Sequence, residues 1–266
     1  MTALRAIALL LALMLPGALP AGESWDGIRA QLYGTRPMLD GAGVIALDAP
    51  YRTGDDARTR IAARIAAPEG ALISKVTLVL DENPMPVSAV FDLAQPQARF
   101  VFDATMRING PTPVHLVAQA TDGRLFVTEG HVKTSGQGAC SAPPGTDPDK
   151  ALATLGAITL GTLDLPTDRL APPEHRLRSL DVAVSHPSHS GMQMDQISLL
   201  FIPMRYVRTL AIDTDGRGYA TMTGSISLSE NPRVTLSVPA RTGRVAATMT
   251  DTSGTVTRAE ARLAGY

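Results

Sequence analysis

The stretch that decides the fold is Arg99-Phe-Val-Phe-Asp-Ala-Thr-Met-Arg-Ile108, in which two kinds of side chain alternate. Apolar residues occupy the even-numbered positions, and charged or mixed residues occupy the odd-numbered ones. Because successive side chains of a β-strand point to opposite faces, this period of two predicts a strand with one buried face. Arg107 falls on the face opposite the buried one.

The same alternation extends outward in both directions from this strand. In the first half it recurs at 75–80, 87–93, 114–120 and 125–133, separated by turn sequences such as Asn109-Gly-Pro111 and Asp122-Gly123. In the second half it recurs at 182–184, 197–201, 210–212, 219–223, 234–238, 245–249 and 256–263. Many short strands with regularly spaced turns indicate β-sandwiches.

Only two short helices are predicted, at 24–33 and 147–155. The predicted fold class is therefore all-β, with two immunoglobulin-like β-sandwich domains joined by an irregular linker that contains a short helix. The predicted organisation is a signal peptide at 1–21, a first sandwich at 22–134, an arm and linker at 135–178, and a second sandwich at 179–266.

The composition of the 266 residues excludes several classes of function. The net charge of −1 and the 4% aromatic content give neither the positive field nor the stacking surface that nucleic-acid binding needs. The single cysteine excludes both an internal disulfide and a four-cysteine zinc site.

The N-terminus has the pattern of a secretory signal. Arg5 precedes an apolar run at 6–15, which Pro16 and Gly17 break before the small residue Ala21. A bilayer-spanning helix needs about 20 apolar residues, and neither this run nor any later stretch is that long. We therefore expect export to the periplasm, cleavage near Ala21 and no membrane span.

Cys140 stands in a segment of small residues that breaks the strand pattern. Gly136, Gly138 and Gly145, with two prolines, deny this segment regular structure. Free cysteine is often a buried, inert core residue, but small neighbours cannot build apolar walls around a thiol. We therefore expect a flexible arm on which Cys140 is accessible to solvent.

This arrangement resembles SoxY, the thiol-bearing half of the periplasmic sulfur-oxidation carrier SoxYZ. The region 180–263 resembles its partner SoxZ, through His186-Pro187 with Gly191, Ile202-Pro203, Ser229-Glu-Asn-Pro232, Asp251 and Gly254. The combination, together with Ala49-Pro-Tyr-Arg52, is similar to the fused SoxYZ-like carriers associated with quinoprotein dehydrogenases. In SoxY the cysteine lies at the extreme C-terminus, whereas here the chain continues to residue 266, so the arm is tethered at both ends.

The resemblance implies a covalent carrier rather than an enzyme, with Cys140 as the attachment residue and no cofactor. It implies that the SoxY-like and SoxZ-like halves pair within the chain. The implied partners are periplasmic sulfur-oxidation enzymes, or a quinoprotein dehydrogenase with a c-type cytochrome.

Two alternatives remain open. One is a periplasmic copper-binding module, because His186, His189, Met192 and Met194 supply imidazole and thioether groups that suit Cu(I). The other is a thiol-dependent enzyme, which requires a histidine or carboxylate fixed beside Cys140.

Overall fold

The computed structural model describes residues 22–136, 138–164 and 176–263. Its two sheets and two short helices confirm the all-β fold class. The helices are α1 (Gly22–Tyr33) and α2 (Pro148–Ala153), close to the predicted positions. The predicted signal peptide lies outside the described residues. None of the helices within the described ranges is both long and apolar enough to cross a membrane.

The strands alternate with short turns along the chain. The first half contains β1 (Met38–Asp40), β2 (Ile45–Asp48), β3 (Thr59–Ala66), β4 (Ile73–Leu80), β5 (Val87–Gln97), β6 (Arg99–Met106), β7 (Thr112–Ala120) and β8 (Leu125–Val132). The second half contains β9 (Ile158–Asp164), β10 (Leu177–Val184), β11 (Val207–Thr214), β12 (Arg217–Gly224), β13 (Arg233–Pro239), β14 (Arg244–Asp251) and β15 (Val256–Arg262).

Strands with clear alternation were predicted correctly, and the errors have physical causes. β3 was missed because small alanines interrupt its alternation, and β9 was missed because it falls within the predicted irregular linker. The strand predicted at 197–201 is wrong, because this stretch is a loop with exposed apolar side chains.

The two halves of the chain share both sheets. The nine-stranded sheet has the order β1-β8-β7-β4-β5-β12-β11-β14-β15, and the six-stranded sheet has the order β2-β3-β6-β13-β10-β9. Antiparallel pairing of β5 with β12 and of β6 with β13 therefore joins the halves edge to edge in each layer. The boundaries between the predicted domains stay predictions.

The largest core side chains lie at this junction. Phe91 on β5 and Phe102 on β6 have ring centroids 4.7 Å apart, and both are fully buried. Tyr219 on β12 is also buried, and its hydroxyl donates a 2.6 Å hydrogen bond to the carbonyl of Ser237 on β13. Burial raises the pKa of Tyr219, so its hydroxyl stays protonated. One core therefore connects the two sheets and the two halves.

Phe102→Ala should lower the free energy of unfolding by about 3–5 kcal/mol, because it leaves a cavity at the shared core. Urea unfolding monitored by Trp25 fluorescence and by far-UV circular dichroism should give one coincident transition. Val256→Ala, at a position 62% exposed, is the matched control and should change stability by less than about 0.5 kcal/mol. Separate transitions for the two probes would contradict a core shared by both halves.

Candidate functional site

Cys140 lies between β8 and α2, in the segment 134–146, which we call the Cys140 segment. Its side chain is fully buried, so the prediction of a solvent-accessible thiol is wrong. The prediction considered only the small neighbours of Cys140 in the sequence. The residues that cover the segment come from distant parts of the chain.

The glycines of the Cys140 segment shape turns in this structure. Gly136 and Gly138 have φ angles of +87° and +72°, a left-handed conformation that glycine adopts without steric cost. The carbonyl of Gly138 accepts hydrogen bonds from the backbone N–H of Ser141 at 3.0 Å and from its hydroxyl at 2.9 Å. Cys140 thus sits inside a closed turn.

Two side chains of the first half hold the Cys140 segment. Asp56 accepts hydrogen bonds from the backbone N–H of Ser135 at 3.0 Å and from its hydroxyl at 2.5 Å. Asn109 Oδ1 accepts one from the backbone N–H of Cys140 at 3.2 Å. Asn109 lies three residues after the end of β6, in the sequence predicted to be only a turn.

Three side chains of the second half complete this set. The Ser190 hydroxyl donates to the carbonyl of Cys140, and Gln193 Nε2 donates to the carbonyl of Ala142 at 2.9 Å. Glu230 Oε2 accepts from the backbone N–H of Gly145 at 2.9 Å. We call these five side chains the cradle: Asp56, Asn109, Ser190, Gln193 and Glu230.

The sequence Ser229-Glu-Asn-Pro232 positions the second half of the cradle. Ser229 is hydrogen-bonded at 2.7 Å to the hydroxyl of Thr105 on β6. Asn231 accepts from the backbone N–H of His186 at 3.0 Å through Oδ1, and its own N–H donates to the carbonyl of His186 at 2.8 Å. These bonds fix Glu230 and the loop that carries Ser190 next to the end of β6.

Arg107 places a buried positive charge at the site. It is only 3% exposed, which corrects its predicted position on the open face of the strand. β6 ends at Met106, so the alternation no longer applies, and Nη1 donates to the carbonyls of Ser188 at 2.5 Å and Leu228 at 2.9 Å. Burial lowers the pKa of Arg107, and interaction with Cys140 opposes that shift.

The environment keeps the thiol of Cys140 protonated. Burial raises its pKa above the ordinary value of 9.0, and the positive charge of Arg107 offsets only part of this effect. The thiolate is the reactive form of cysteine. Cys140 is therefore poorly reactive while the segment occupies the cradle.

Glu230 is only half satisfied in this arrangement. Its buried Oε1 atom has no hydrogen-bond partner among the residues that the structure describes, whereas Oε2 accepts from Gly145. A buried polar group without a partner costs about 1–3 kcal/mol. This cost opposes docking of the Cys140 segment, because release of the segment lets water reach the carboxylate.

His186 uses both ring nitrogens in hydrogen bonds. Nδ1 accepts from the backbone N–H of Ser188 at 2.9 Å, so the proton lies on Nε2, which faces Asp251 Oδ2 at 3.4 Å. Burial lowers the pKa of His186 to about 4, and the hydrogen bond to Asp251 offsets only part of that shift. His186 is therefore a neutral structural residue.

Asp251 anchors the loop that contains His186. Burial alone would raise its pKa, but hydrogen bonds from Arg205 Nε at 2.8 Å and from the backbone N–H of Thr255 at 2.8 Å lower it to about 2. The carboxylate is charged and fully buried.

The remaining copper candidates are His189, Met192 and Met194. Nδ1 of His189 lies 3.2 Å from Gln193 Oε1, while Met192 and Met194 are 39% and 43% exposed. No cluster of three or more His, Cys, Asp or Glu side chains suited to a metal occurs within the described ranges. The hydrogen bonds of His186 remove one of the four ligands on which the copper alternative depended.

Two family models match the chain. Residues 29–140 match the sulfur oxidation protein SoxY, and residues 172–262 match the sulphur oxidation protein SoxZ. The first match ends at Cys140, and the second contains Ser190, Gln193 and Glu230. No curated protein sequence matches the chain.

Two of the solved structures that match the chain are only distantly similar to it. Superoxide reductase (neelaredoxin) from Ignicoccus hospitalis is 9% identical over 35% of this chain and 80% of that one, with a TM-score of 0.28. β-Glucuronidase from Parabacteroides merdae is 11% identical over 87% of this chain and 25% of that one, with a TM-score of 0.22. TM-scores this low do not establish a shared fold.

Alkylation of Cys140 by iodoacetamide should be slow in the native protein and should accelerate when the cradle is weakened. Ser190→Ala with Gln193→Ala removes two hydrogen bonds worth about 1 kcal/mol each, so labelling should become at least about tenfold faster. Ser198→Ala, at an exposed loop position, is the control and should label like the wild type. Equal rates for all three proteins would contradict the role of the cradle.

The stability of the protein should fall between pH 6.5 and pH 4. In that range the unfolded chain protonates His186 and the folded chain does not, so the free energy of unfolding drops by up to about 3 kcal/mol. His186→Asn should flatten this slope in urea titrations, while His131→Asn, at an exposed site, should keep it. Asp251 contributes separately, with its loss of stability between about pH 4 and pH 2. An unchanged slope in His186→Asn would show that His186 is not buried in its neutral form.

Proposed function

Because this chain is a fused protein with a SoxY domain followed by a SoxZ domain, we propose that it is a covalent carrier whose cargo is attached to Cys140 Sγ. The SoxY and SoxZ families support a carrier role in sulfur oxidation. More specifically, we propose that Cys140 takes up a sulfur-containing group and presents it to successive partner enzymes.

One observation carries this proposal. The chain contains one cysteine, and it is the residue at which the SoxY match ends. The SoxZ domain supplies three of the five side chains that hold the segment around this cysteine. Both domains therefore hold the backbone on either side of the same cysteine, as expected if its thiol is the attachment point.

The chemistry requires only a thiol and an external oxidant. Cys140–SH and a cargo thiol, R–SH, form Cys140–S–S–R, and two protons and two electrons leave. An oxidised redox partner accepts the electrons, and solvent takes the protons. Attack by another thiol on the S–S bond later releases the cargo by exchange.

Cargo loading requires the Cys140 segment to leave the cradle. In the docked state the thiol is buried and its pKa is raised, which protects it from adventitious oxidation. The docked state depends on a small number of hydrogen bonds, each worth about 1 kcal/mol. The buried Oε1 atom of Glu230, which is unpaired within the described part of the chain, opposes it. The free energy of binding a partner protein is therefore large enough to release the segment.

The arrangement favours attachment over catalysis in place. A catalytic cysteine needs a base within about 3 Å of its sulfur. Within the described part of the chain, no side chain is hydrogen-bonded to Cys140 Sγ, and the charged group that acts on it most strongly is the cation Arg107. Partner enzymes would therefore supply the redox and hydrolytic chemistry.

The partners and the compartment follow from the same proposal. The SoxY and SoxZ families imply sulfur-oxidation enzymes as partners. We propose that the carrier works in the periplasm after removal of residues 1–21. A quinoprotein dehydrogenase with a c-type cytochrome is the alternative partner system, and it would use the same thiol.

Cys140→Ser should abolish covalent loading, because a hydroxyl forms neither disulfide nor persulfide bonds. The mature protein is incubated with thiosulfate and an extract of exported proteins from the source organism, and its intact mass is measured before and after reduction. Wild type should gain a mass that reduction removes, and Ser141→Ala, which keeps the thiol, should gain the same mass. A reducible adduct on Cys140→Ser, or none on the wild type, would contradict the carrier function.

A further inference from the structure

An exposed apolar loop projects from the SoxZ domain at residues 194–204, which we call the apolar loop. Ile197 is 95% exposed, and Leu199, Leu200 and Phe201 are 68%, 68% and 67% exposed. Single exposed apolar residues are common on protein surfaces, but a contiguous group of this kind marks an interaction site. The carrier function proposed above does not require these side chains.

The apolar loop is held in place by its own hydrogen bonds. Asp195 Oδ1 accepts from the backbone N–H of Ser198 at 2.7 Å and of Ile197 at 3.1 Å. The backbone N–H of Asp195 donates to the carbonyl of Leu200 at 2.9 Å. Leu199 has a φ of +58°, which is strained for a residue with a branched side chain. The chain thus maintains a defined turn that points apolar side chains into solvent.

The apolar loop and the cradle belong to the same excursion of the chain. The N–H of Ile202 donates to the carbonyl of Gln193 at 2.8 Å, and the N–H of Arg205 donates to the carbonyl of His189 at 3.0 Å. Gln193 and Ser190, at the base of this excursion, hold the Cys140 segment. A protein bound at the apolar loop is therefore brought close to Cys140.

We propose that the apolar loop is the docking surface for the enzymes that load Cys140, and that it inserts into an uncharged apolar groove on them. The proposal rests on the carrier function, and it adds the surface that partners recognise. Docking at the loop raises the local concentration of the partner active site near the thiol without any contact to the cargo itself.

The charge of the loop favours a protein groove over a membrane surface. Asp195 is the only charged residue between positions 190 and 204, and the next residue, Arg205, is paired with the buried Asp251. Loops that bind anionic lipid combine apolar residues with lysine or arginine. Here the flanking charge is negative or neutralised, so anionic lipid would be repelled.

The size of the loop favours a transient partner over a second copy of the chain. Its exposed apolar side chains lie on a single loop and form a patch of at most roughly a few hundred Å², whereas obligate homodimers bury about 2,000 Å² or more in total. Contacts at this lower end are typical of short-lived encounters. A carrier that visits several enzymes in turn needs contacts of that kind.

The test compares cargo loading with simple alkylation in the mature full-length protein. The triple variant Ile197→Ser, Leu200→Ser and Phe201→Ser removes most of the apolar surface but leaves Asp195 and the cradle intact. The control variant Leu39→Ser with Leu152→Ser changes exposed leucines elsewhere. Loading by thiosulfate and a limiting amount of exported-protein extract is followed by intact mass, and alkylation is followed with iodoacetamide.

We expect the triple variant to load at least tenfold more slowly than the wild type, while the control loads normally and all three proteins react equally with iodoacetamide. Equal loading of the triple variant would overturn the docking proposal and leave the carrier function standing. Absence of any adduct on the wild type would overturn both.

Two further measurements use the same variants. If the wild type self-associates in sedimentation velocity and the triple variant does not, the apolar loop binds a second copy of the chain rather than an enzyme. If the wild type co-sediments with phosphatidylcholine–phosphatidylglycerol vesicles and the triple variant does not, the apolar loop binds a lipid surface rather than an enzyme. Either result would overturn the proposal, and we expect neither.

Discussion

The structure depends on the antiparallel pairing of β6 with β13, which joins the SoxY and SoxZ domains in one sheet. Ala104 pairs with Val234 and Phe102 with Leu236, so the end of β6 meets the start of β13. This register puts Arg107 and Asn109, just after β6, beside Glu230, just before β13. The cradle for Cys140 therefore follows from the strand register, and neither domain could build it alone.

A carrier thiol must satisfy two opposing requirements. It must resist oxidation between partners, which burial and a raised pKa achieve, and it must become accessible to each partner in turn. The proposed carrier function is compatible with both requirements, because the docked state of the Cys140 segment is held by hydrogen bonds rather than by a large apolar contact. Both tendencies meet in Glu230, because one carboxylate oxygen holds Gly145 while the other has no hydrogen-bond partner among the described residues. In the proposed cycle, fusion of the domains keeps the segment tethered at both ends, so it returns to the cradle after release.

Sequence patterns predicted the strands that alternate, such as β6, because burial of one face of a strand requires an apolar residue at every second position. They failed where tertiary contacts decide the outcome. Arg107 lies one residue beyond its strand, so its burial depends on carbonyls of Ser188 and Leu228 from the other domain. The burial of Cys140 could not be predicted for the same reason, because its neighbours in the sequence are small and the residues that cover it are distant in the sequence. The apolar residues at 197–201 showed the period of a strand, but within the described ranges they pair only at the isolated bridge of Phe201 with Met194 and form a solvent-exposed loop.

In the proposed carrier cycle, the Cys140 segment occupies the cradle when the thiol is free and leaves it when the thiol carries cargo. Hydrogen–deuterium exchange of residues 134–146, compared between reduced and cargo-loaded protein, tests this most directly. The backbone N–H groups of Ser135, Cys140 and Gly145 are hydrogen-bonded in the docked state. Loading should accelerate their exchange while the amides of β6 and β13 stay protected. Equal protection of the segment in both forms would contradict the account.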